Sequence, residues 1–254
     1  IAATTTWTAK SYANIIGAND RIRIGFIGAG GMGNSHLNAI KSLKDKNNLE
    51  PIAVADCWKT RADQGAKTVG ANQSFQDYRK VLELKEIDYV TIATPEHWHC
   101  DMTLDALDAG KAVYCEKPMS HTIQEGRIME KIAREYNCIL QTGSMQRSRA
   151  DFRKACELVR NGYVGKIEKV WIEVGNPSAA CNLPFQETPD YLNWDRWLGP
   201  APLRSYHDII VEKGWFPNWR WYREYGGGIL SDWGAHMFDI VQWALDKDHT
   251  GPVK

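Results

Sequence analysis

The sequence predicts an α/β protein, a doubly wound parallel sheet followed by a smaller α+β unit, and three observations predict it. Short apolar runs alternate with amphipathic segments from Arg21 to Thr142, as strands do with crossover helices. A glycine cluster, GAGGMG at 28–33, follows directly on the first of those runs. Beyond Arg147 the alternation gives way to a β-branched stretch, a proline-rich region and one last helical segment.

Ile22, Ile24, Phe26 and Ile27 form the first run and read as a buried parallel strand. Gly28, Gly30 and Gly33 then supply G-x-G-x-x-G. Each glycine has its own reason: a tight turn, close approach of the backbone to a pyrophosphate, and close packing of helix on strand. The following helix, opening at Gly31 and Met32, would aim its free N–H groups and positive dipole end at the phosphates. A second strand, Leu49 to Ala55, ends in Asp56, 23 residues after Gly33. That is near the offset of about 20 residues expected for the acid that holds the ribose hydroxyls. These features define a Rossmann dinucleotide site. An acid at this point favours NAD and would repel the 2′-phosphate of NADP, which stands as the alternative cofactor.

Lys59 to Lys67 reads as a helix, and Ala71 to Phe75 as a connection or short strand. Asp77 to Leu84 has apolar residues at helical spacing, with Tyr78, Val81, Leu82 and Leu84 turned inwards. Ile87 to Ala93 is a buried strand stopped by Thr94-Pro95, so the loop PEHWH leaves from the carboxyl edge of the sheet. Helix Cys100 to Ala109, closed by Gly110, leads to strand Lys111 to Cys115, which delivers Glu116-Lys117-Pro118 to the same edge. Helix Ile123 to Asn137, strand Cys138 to Thr142 and the loop GSMQRSR complete the unit. The expected organisation is an arm over residues 1–20, a dinucleotide-binding domain over 21–147 and a second domain over 148–254.

In that second domain Ala150 to Asn161 is expected to be a helix, and Lys166 to Val174 the first strand of a second, antiparallel sheet. A loop-rich segment from Asn176 to Pro217 follows, and Gly226-Gly227-Gly228 precedes a helix over Ile229 to Leu245. That helix places Asp232, His236 and Asp239 on one face. A histidine with a carboxylate one turn away can take a proton near neutral pH, although the same spacing also describes an ordinary solvated face. Lys117, beside the nicotinamide end of the site, could polarise a reacting oxygen.

The bulk properties exclude several classes. Lys plus Arg and Asp plus Glu both number 31, so no polyanion-binding surface and no nucleic-acid partner is expected. No apolar run approaches the roughly 20 residues that cross a bilayer, so no membrane partner is expected either. The six cysteines lack C-x-x-C spacing and read as small apolar residues without metal or disulfides. His97 and His99, at alternate positions of an extended chain, would face opposite sides and make no metal site. The Thr-rich segment at the beginning of the sequence suggests an exported protein, periplasmic or secreted, with a cytoplasmic one as the alternative.

Glu116-Lys117-Pro118, the glycine fingerprint, Thr94-Pro95 with His99, and GGGILSDWGAH at 226–236 together resemble the Gfo/Idh/MocA family of glucose-fructose oxidoreductases and inositol dehydrogenases. The resemblance runs from about Arg21 to Leu245. It implies a Rossmann domain followed by an α+β domain of the open-sheet type, incomplete here because relatives continue for many residues after the histidine helix. It also implies a homo-oligomer acting on a small sugar or polyol with NAD or NADP. By the same resemblance Lys117, Asp232 and His236 are catalytic, and Gly28, Gly30, Gly31, Met32, Gly33, Asp56, Thr94, Pro95, His99, Glu116 and Lys117 surround the cofactor. Gln146 and Arg147 would line the substrate cleft with Asp232 and His236. Seven of eleven tryptophans fall in the last quarter of the chain. Core packing accounts for most of them, while Trp219 and Trp221, with Tyr222, are the candidates to contact a sugar ring. Two further readings accompany net oxidation: a glycoside hydrolase that oxidises its substrate transiently with bound NAD, and a catalytically silent nucleotide-binding module.

Overall fold

The computed structural model describes residues 21–211 and 218–251. The arm over residues 1–20, Trp215 and Pro217 lie outside the described residues. Six strands, β1 (Ile22–Ile27), β2 (Leu49–Ala55), β3 (Gln73–Phe75), β4 (Tyr89–Ile92), β5 (Ala112–Glu116) and β6 (Leu140–Gly143), form one parallel sheet in the order β3-β2-β1-β4-β5-β6. Sequence order reverses direction between β1 and β4, and at such a switch point the loops leave on opposite sides and open a crevice.

Helices cover both faces of the sheet, because every central strand is apolar on both sides. One face packs Ile24, Phe26 and Val54 against Leu37 of α1 (Gly31–Leu43) and Val69 of α2 (Lys59–Val69). The other packs Ile27, Val90, Ile92 and Val113 against Val81 of α3 (Arg79–Leu82), Ala106 of α4 (His99–Asp108) and Met129 of α5 (Ile123–Glu135). The α5 helix starts where a capping box, Thr122 with Glu125, satisfies its first amides from both sides. The chain then leaves β6 through a short 3₁₀ turn (Met145–Ser148) into α6 (Ala150–Arg160).

The second lobe is built differently from the expectation. Lys166 to Val174 is not a strand: it is irregular and largely exposed, with Trp171 at 82%. A strand needs a neighbour for its N–H and C=O groups, and no strand among the described residues lies beside it. The lobe is instead held by an aromatic cluster that includes Leu192, Tyr206, Trp219 and Tyr225, together with Trp194 and Trp197 of α7 (Trp194–Leu198) and Ile210 of α8 (Asp208–Val211). Trp194 and Trp197 stack with ring centroids 4.8 Å apart. Cys57 and Trp58 of the first lobe pack on this cluster, and the Lys59 N–H donates to the Tyr191 carbonyl, so the lobes share a joint next to Asp56. The six thiols are unpaired, with Cys100, Cys115 and Cys156 buried.

The single helix expected over Ile229 to Leu245 is two, α9 (Gly228–Asp232) and α10 (Gly234–Ala244). Lys117 Nζ donates to the Asp232 carbonyl at 3.0 Å, and the His236 N–H turns to the Trp233 carbonyl. A cation from the other lobe has taken an acceptor of the helix ladder, and the ladder breaks there.

Candidate active site

The glycine turn does what its spacing demands. Gly28 has φ +91°, and a Cβ there would lie 2.6 Å from the Ala93 carbonyl oxygen. A Cβ on Gly33 would lie 2.0 Å from the Gly28 oxygen, so α1 and β1 touch through bare backbone. Gly30 differs: the nearest atom to its would-be Cβ is Arg61 Nη1 at 3.8 Å, and the residue faces an open cleft. The first turn of α1 carries no acidic residue and its N-cap, Gly30, offers no side-chain acceptor, which leaves its amides to a ligand.

That cleft runs between the lobes and has an empty volume of about 1230 Å³, open mouth included. Gly28, Gly30, Gly31, Met32 and Asp56 line it together with Thr94, Pro95, Glu116 and Lys117. Asp56 accepts from the amides of Ala29 and Trp58, each at 2.8 Å. Burial raises its pKa, against the pull of Arg61 and of these two amides. Free amides at a helix start, a glycine with open space before it and a carboxyl at the end of β2 are the donor set that a dinucleotide requires, so the residues present fit the cofactor.

On the opposite wall, Lys117 Nζ meets Asp232 Oδ1 at 3.0 Å, and Arg220 Nε reaches the same oxygen at 3.1 Å. Asp232 is buried between these two cations, with its side chain 3% exposed. His236 is buried one turn further along, its ring edge-on to Trp233. Burial lowers its pKa first and the nearby Lys117 charge second, while Asp232, Glu116 and Asp239 act the other way. Asp232 and His236 thus stand within electrostatic reach of Lys117, which itself lines the cleft.

The remaining expected site residues divide. His99 does not face the cleft: its ring bridges two carbonyls, Nδ1 to Pro118 at 2.6 Å and Nε2 to Thr94 at 2.9 Å. Its ring thus packs between the loops that carry Thr94-Pro95 and Lys117, and in the neutral form that burial favours its one N–H donates to one of the two carbonyls. His97 and His99 are not on extended chain, because a 3₁₀ turn (Glu96–Trp98) runs into α4; His97 Nε2 lies 3.0 Å from the Trp197 carbonyl. Trp219, on a 3₁₀ turn (Asn218–Trp221), lines the cleft under Arg220, whereas Trp221 is 39% exposed and Tyr222 packs on the aromatic cluster. Arg147 is tied to Asp239 and Asp248 and lies over Trp243; Gln146 is buried, and neither lines the cleft. No group of three or more potential metal ligands occurs among the described residues.

Sequence reasoning missed Arg61, Glu96 and Arg220. Arg61 stacks over Trp58 at 3.9 Å in the cleft wall, and its position five residues after Asp56 on a helix was the available signal. Arg220 had a weaker one, its place between two tryptophans. Glu96 sat within the PEHWH loop without any periodic cue.

The cleft lined by the glycine turn thus also holds Lys117, with Asp232 bonded to that lysine and His236 one turn further along the chain, neither of them in the cleft lining. Residues 22–144 match the model of the Gfo/Idh/MocA oxidoreductase family's NAD-binding Rossmann fold, and residues 156–254 match that of its C-terminal alpha/beta domain. The chain belongs to the Gfo/Idh/MocA family. It is 31% identical to a scyllo-inositol 2-dehydrogenase (NAD(+)) of Bacillus subtilis, over 91% of this chain and 56% of that one. It is 28% identical to the rhizopine catabolism protein MocA of Rhizobium meliloti, over 91% of this chain and 59% of that one. Among solved structures, scyllo-inositol dehydrogenase from Lactobacillus casei with bound NAD(H) and scyllo-inositol superposes with a TM-score of 0.54 at 28% identity, covering 57% of this chain and 43% of that one. The chain spans 56–59% of the length of these two curated relatives.

Proposed function

We propose that this protein oxidises or reduces a hydroxyl-bearing carbon of a small sugar or polyol with NAD. The observation that carries the reading is Lys117, which lines the same cleft as the glycine turn and is bonded from behind to the buried Asp232. Gly30, Gly31 and Met32 would hold the pyrophosphate and Asp56 the ribose. Bound nicotinamide supplies the acceptor for the hydride.

The chain's own residues handle the proton and the charge. His236, kept neutral near pH 7 by burial and by the Lys117 charge, takes the hydroxyl proton, a role worth about 10²–10⁴ in rate. The Lys117 ammonium stabilises the oxygen as negative charge develops on it. Asp232 fixes Lys117 in place, and Arg220 compensates the second half of its charge. Trp219, buried beneath Arg220, contributes apolar edge to the cleft wall beside the carbon skeleton. Similarity to inositol and sugar dehydrogenases supports the substrate class.

The test is cofactor reduction by the full chain with NAD and NADP against myo-inositol, scyllo-inositol and simple D-glucosides. Turnover with at least one of them is expected, with NAD preferred. No reduction with any polyol or sugar, and no thermal shift with either cofactor, would refute the proposal. Release of sugar from aryl glycosides without accumulation of reduced cofactor would reassign it to redox-assisted hydrolysis. Self-association belongs to the same proposal: Trp171, Phe185 and Leu203 are exposed on the second lobe, and sedimentation velocity tests it.

A further inference from the structure

Among the described residues Glu96 is the most deeply buried acid near the cleft, 1% exposed, and the reaction outlined above does not use it. It sits on the 3₁₀ turn after Pro95, on the first lobe, yet it acts on the second. Its Oε2 accepts from the Gly227 N–H at 3.1 Å, and its Oε1 is buried with no hydrogen-bond partner among the described residues. A Cβ on Gly226 would come within 3.3 Å of that same Oε1 and 3.2 Å of the Trp219 ring. Gly228, at φ +76°, lies against the backbone of Pro177 and Ser178, so the triple-glycine turn is wedged on both sides. The helix that carries Asp232 begins at Gly228.

We propose that Glu96 is a positioning residue for the Lys117–Asp232 pair: from the first lobe it grips the Gly226–Gly228 turn and so holds Asp232 against Lys117 and Arg220. The inference rests on the functional reading above, because the pair it serves is the catalytic one. The charges around Glu96 come from three elements: Asp232 on α9, Arg220 on the 3₁₀ turn and Lys117 after β5. On its own turn, His97 is buried and points to Trp197. Burial first, and Asp232 in addition, push the Glu96 carboxyl up to about 8, against the Gly227 amide, Arg220 and Lys117. At neutral pH the acid is therefore protonated, and the two cations are left to Asp232. When it ionises, its charge adds to that of Asp232 beside Arg220 and Lys117 and weakens the hold of the pair.

Two substitutions separate grip from charge. Glu96→Ala leaves the Gly227 N–H without an acceptor, whereas Glu96→Gln keeps that bond and resembles the protonated acid. The first should lower kcat about tenfold with the affinity for NAD unchanged within twofold, and the second should restore most of the loss at pH 7. In the wild type kcat should fall above about pH 8; in the Gln variant that decline should vanish. A reading without turnover comes from biosynthetically 13C-labelled lysine followed by NMR: the Lys117 Cε signal should report the ionisation of Glu96 near pH 8 in the wild type and not in Glu96→Gln. Equal kcat in Glu96→Ala and wild type, or an identical pH dependence of the Lys117 signal in wild type and Glu96→Gln, would overturn the proposal. If no polyol or sugar is oxidised at all, the catalytic reading fails, and the pH dependence of the Lys117 signal still decides whether Glu96 governs the pair.

Discussion

Replacing Lys117 with Met tests the site most directly. The side chain is 13% exposed and its ammonium makes two bonds of 3.0 Å, to the Asp232 carboxylate and to its carbonyl. Stripping a buried carboxylate of its sole partner costs about 3–5 kcal/mol. Here Arg220 remains at 3.1 Å, so the loss should be nearer that of one charged hydrogen bond, about 2 kcal/mol. For a chain of this size that is a fall in Tm of about 4–8 °C. The kinetic effect should be larger, because a charge aimed at a developing oxyanion is worth about 10²–10³ in kcat. Cofactor affinity, set by the glycine turn and Asp56, should change by less than about threefold. The His236 pKa should rise, because the cation that helps to depress it is gone while Asp232 stays. Calorimetry, NAD titration by fluorescence quenching, steady-state kinetics and histidine NMR read these four quantities separately. If kcat stays within threefold of wild type, or falls only in step with cofactor affinity, the assignment of Lys117 to the chemistry is wrong.

Two glycines three residues apart, Gly30 and Gly33, should respond in opposite ways. Gly33→Ala puts a Cβ 2.0 Å from the Gly28 oxygen and should destabilise the fold by about 1–3 kcal/mol or more in urea denaturation. Gly30→Ala meets only Arg61 at 3.8 Å, so its Cm should stay close to wild type while NAD binding weakens at least tenfold by calorimetry. Acid stability should follow His97, which burial depresses to about 4. The unfolded chain takes up that proton near pH 6.5 and the folded one does not, so stability drains away as pH falls from about 6.5 to about 4, by about 3 kcal/mol from this residue. In His97→Gln the difference in urea midpoint between pH 7 and pH 5 should shrink; an unchanged difference would show that His97 does not carry it.

Much of this protein is local in origin and was therefore legible. The β1 turn, Asp56 and the cleft edge after β4 and β5 depend on short-range spacing and on steric demands that only glycine or proline meets. Gly28 and Gly33 touch backbone where the fingerprint says they must. Boundaries of β4, α3 and α5 moved by a few residues, as helix and strand ends fray. The second lobe was less legible. Its order comes from aromatic packing between distant segments, so Lys166 to Val174 had the composition of a strand but no neighbour to pair with.

Periodicity and fixed offsets determined the doubly wound sheet and the dinucleotide turn, while Lys117, Asp232 and His236 became candidates through the family resemblance of their motifs. Only the tertiary structure decided which candidates meet. It joined Lys117 to Asp232 across 115 positions, brought Arg220 to the same oxygen, set Glu96 against Gly227, and removed Arg147 and Trp221 from the cleft. The physical reason is that such contacts are made between lobes: a buried charge takes whatever partner the fold brings within 3 Å, and no local pattern names that partner.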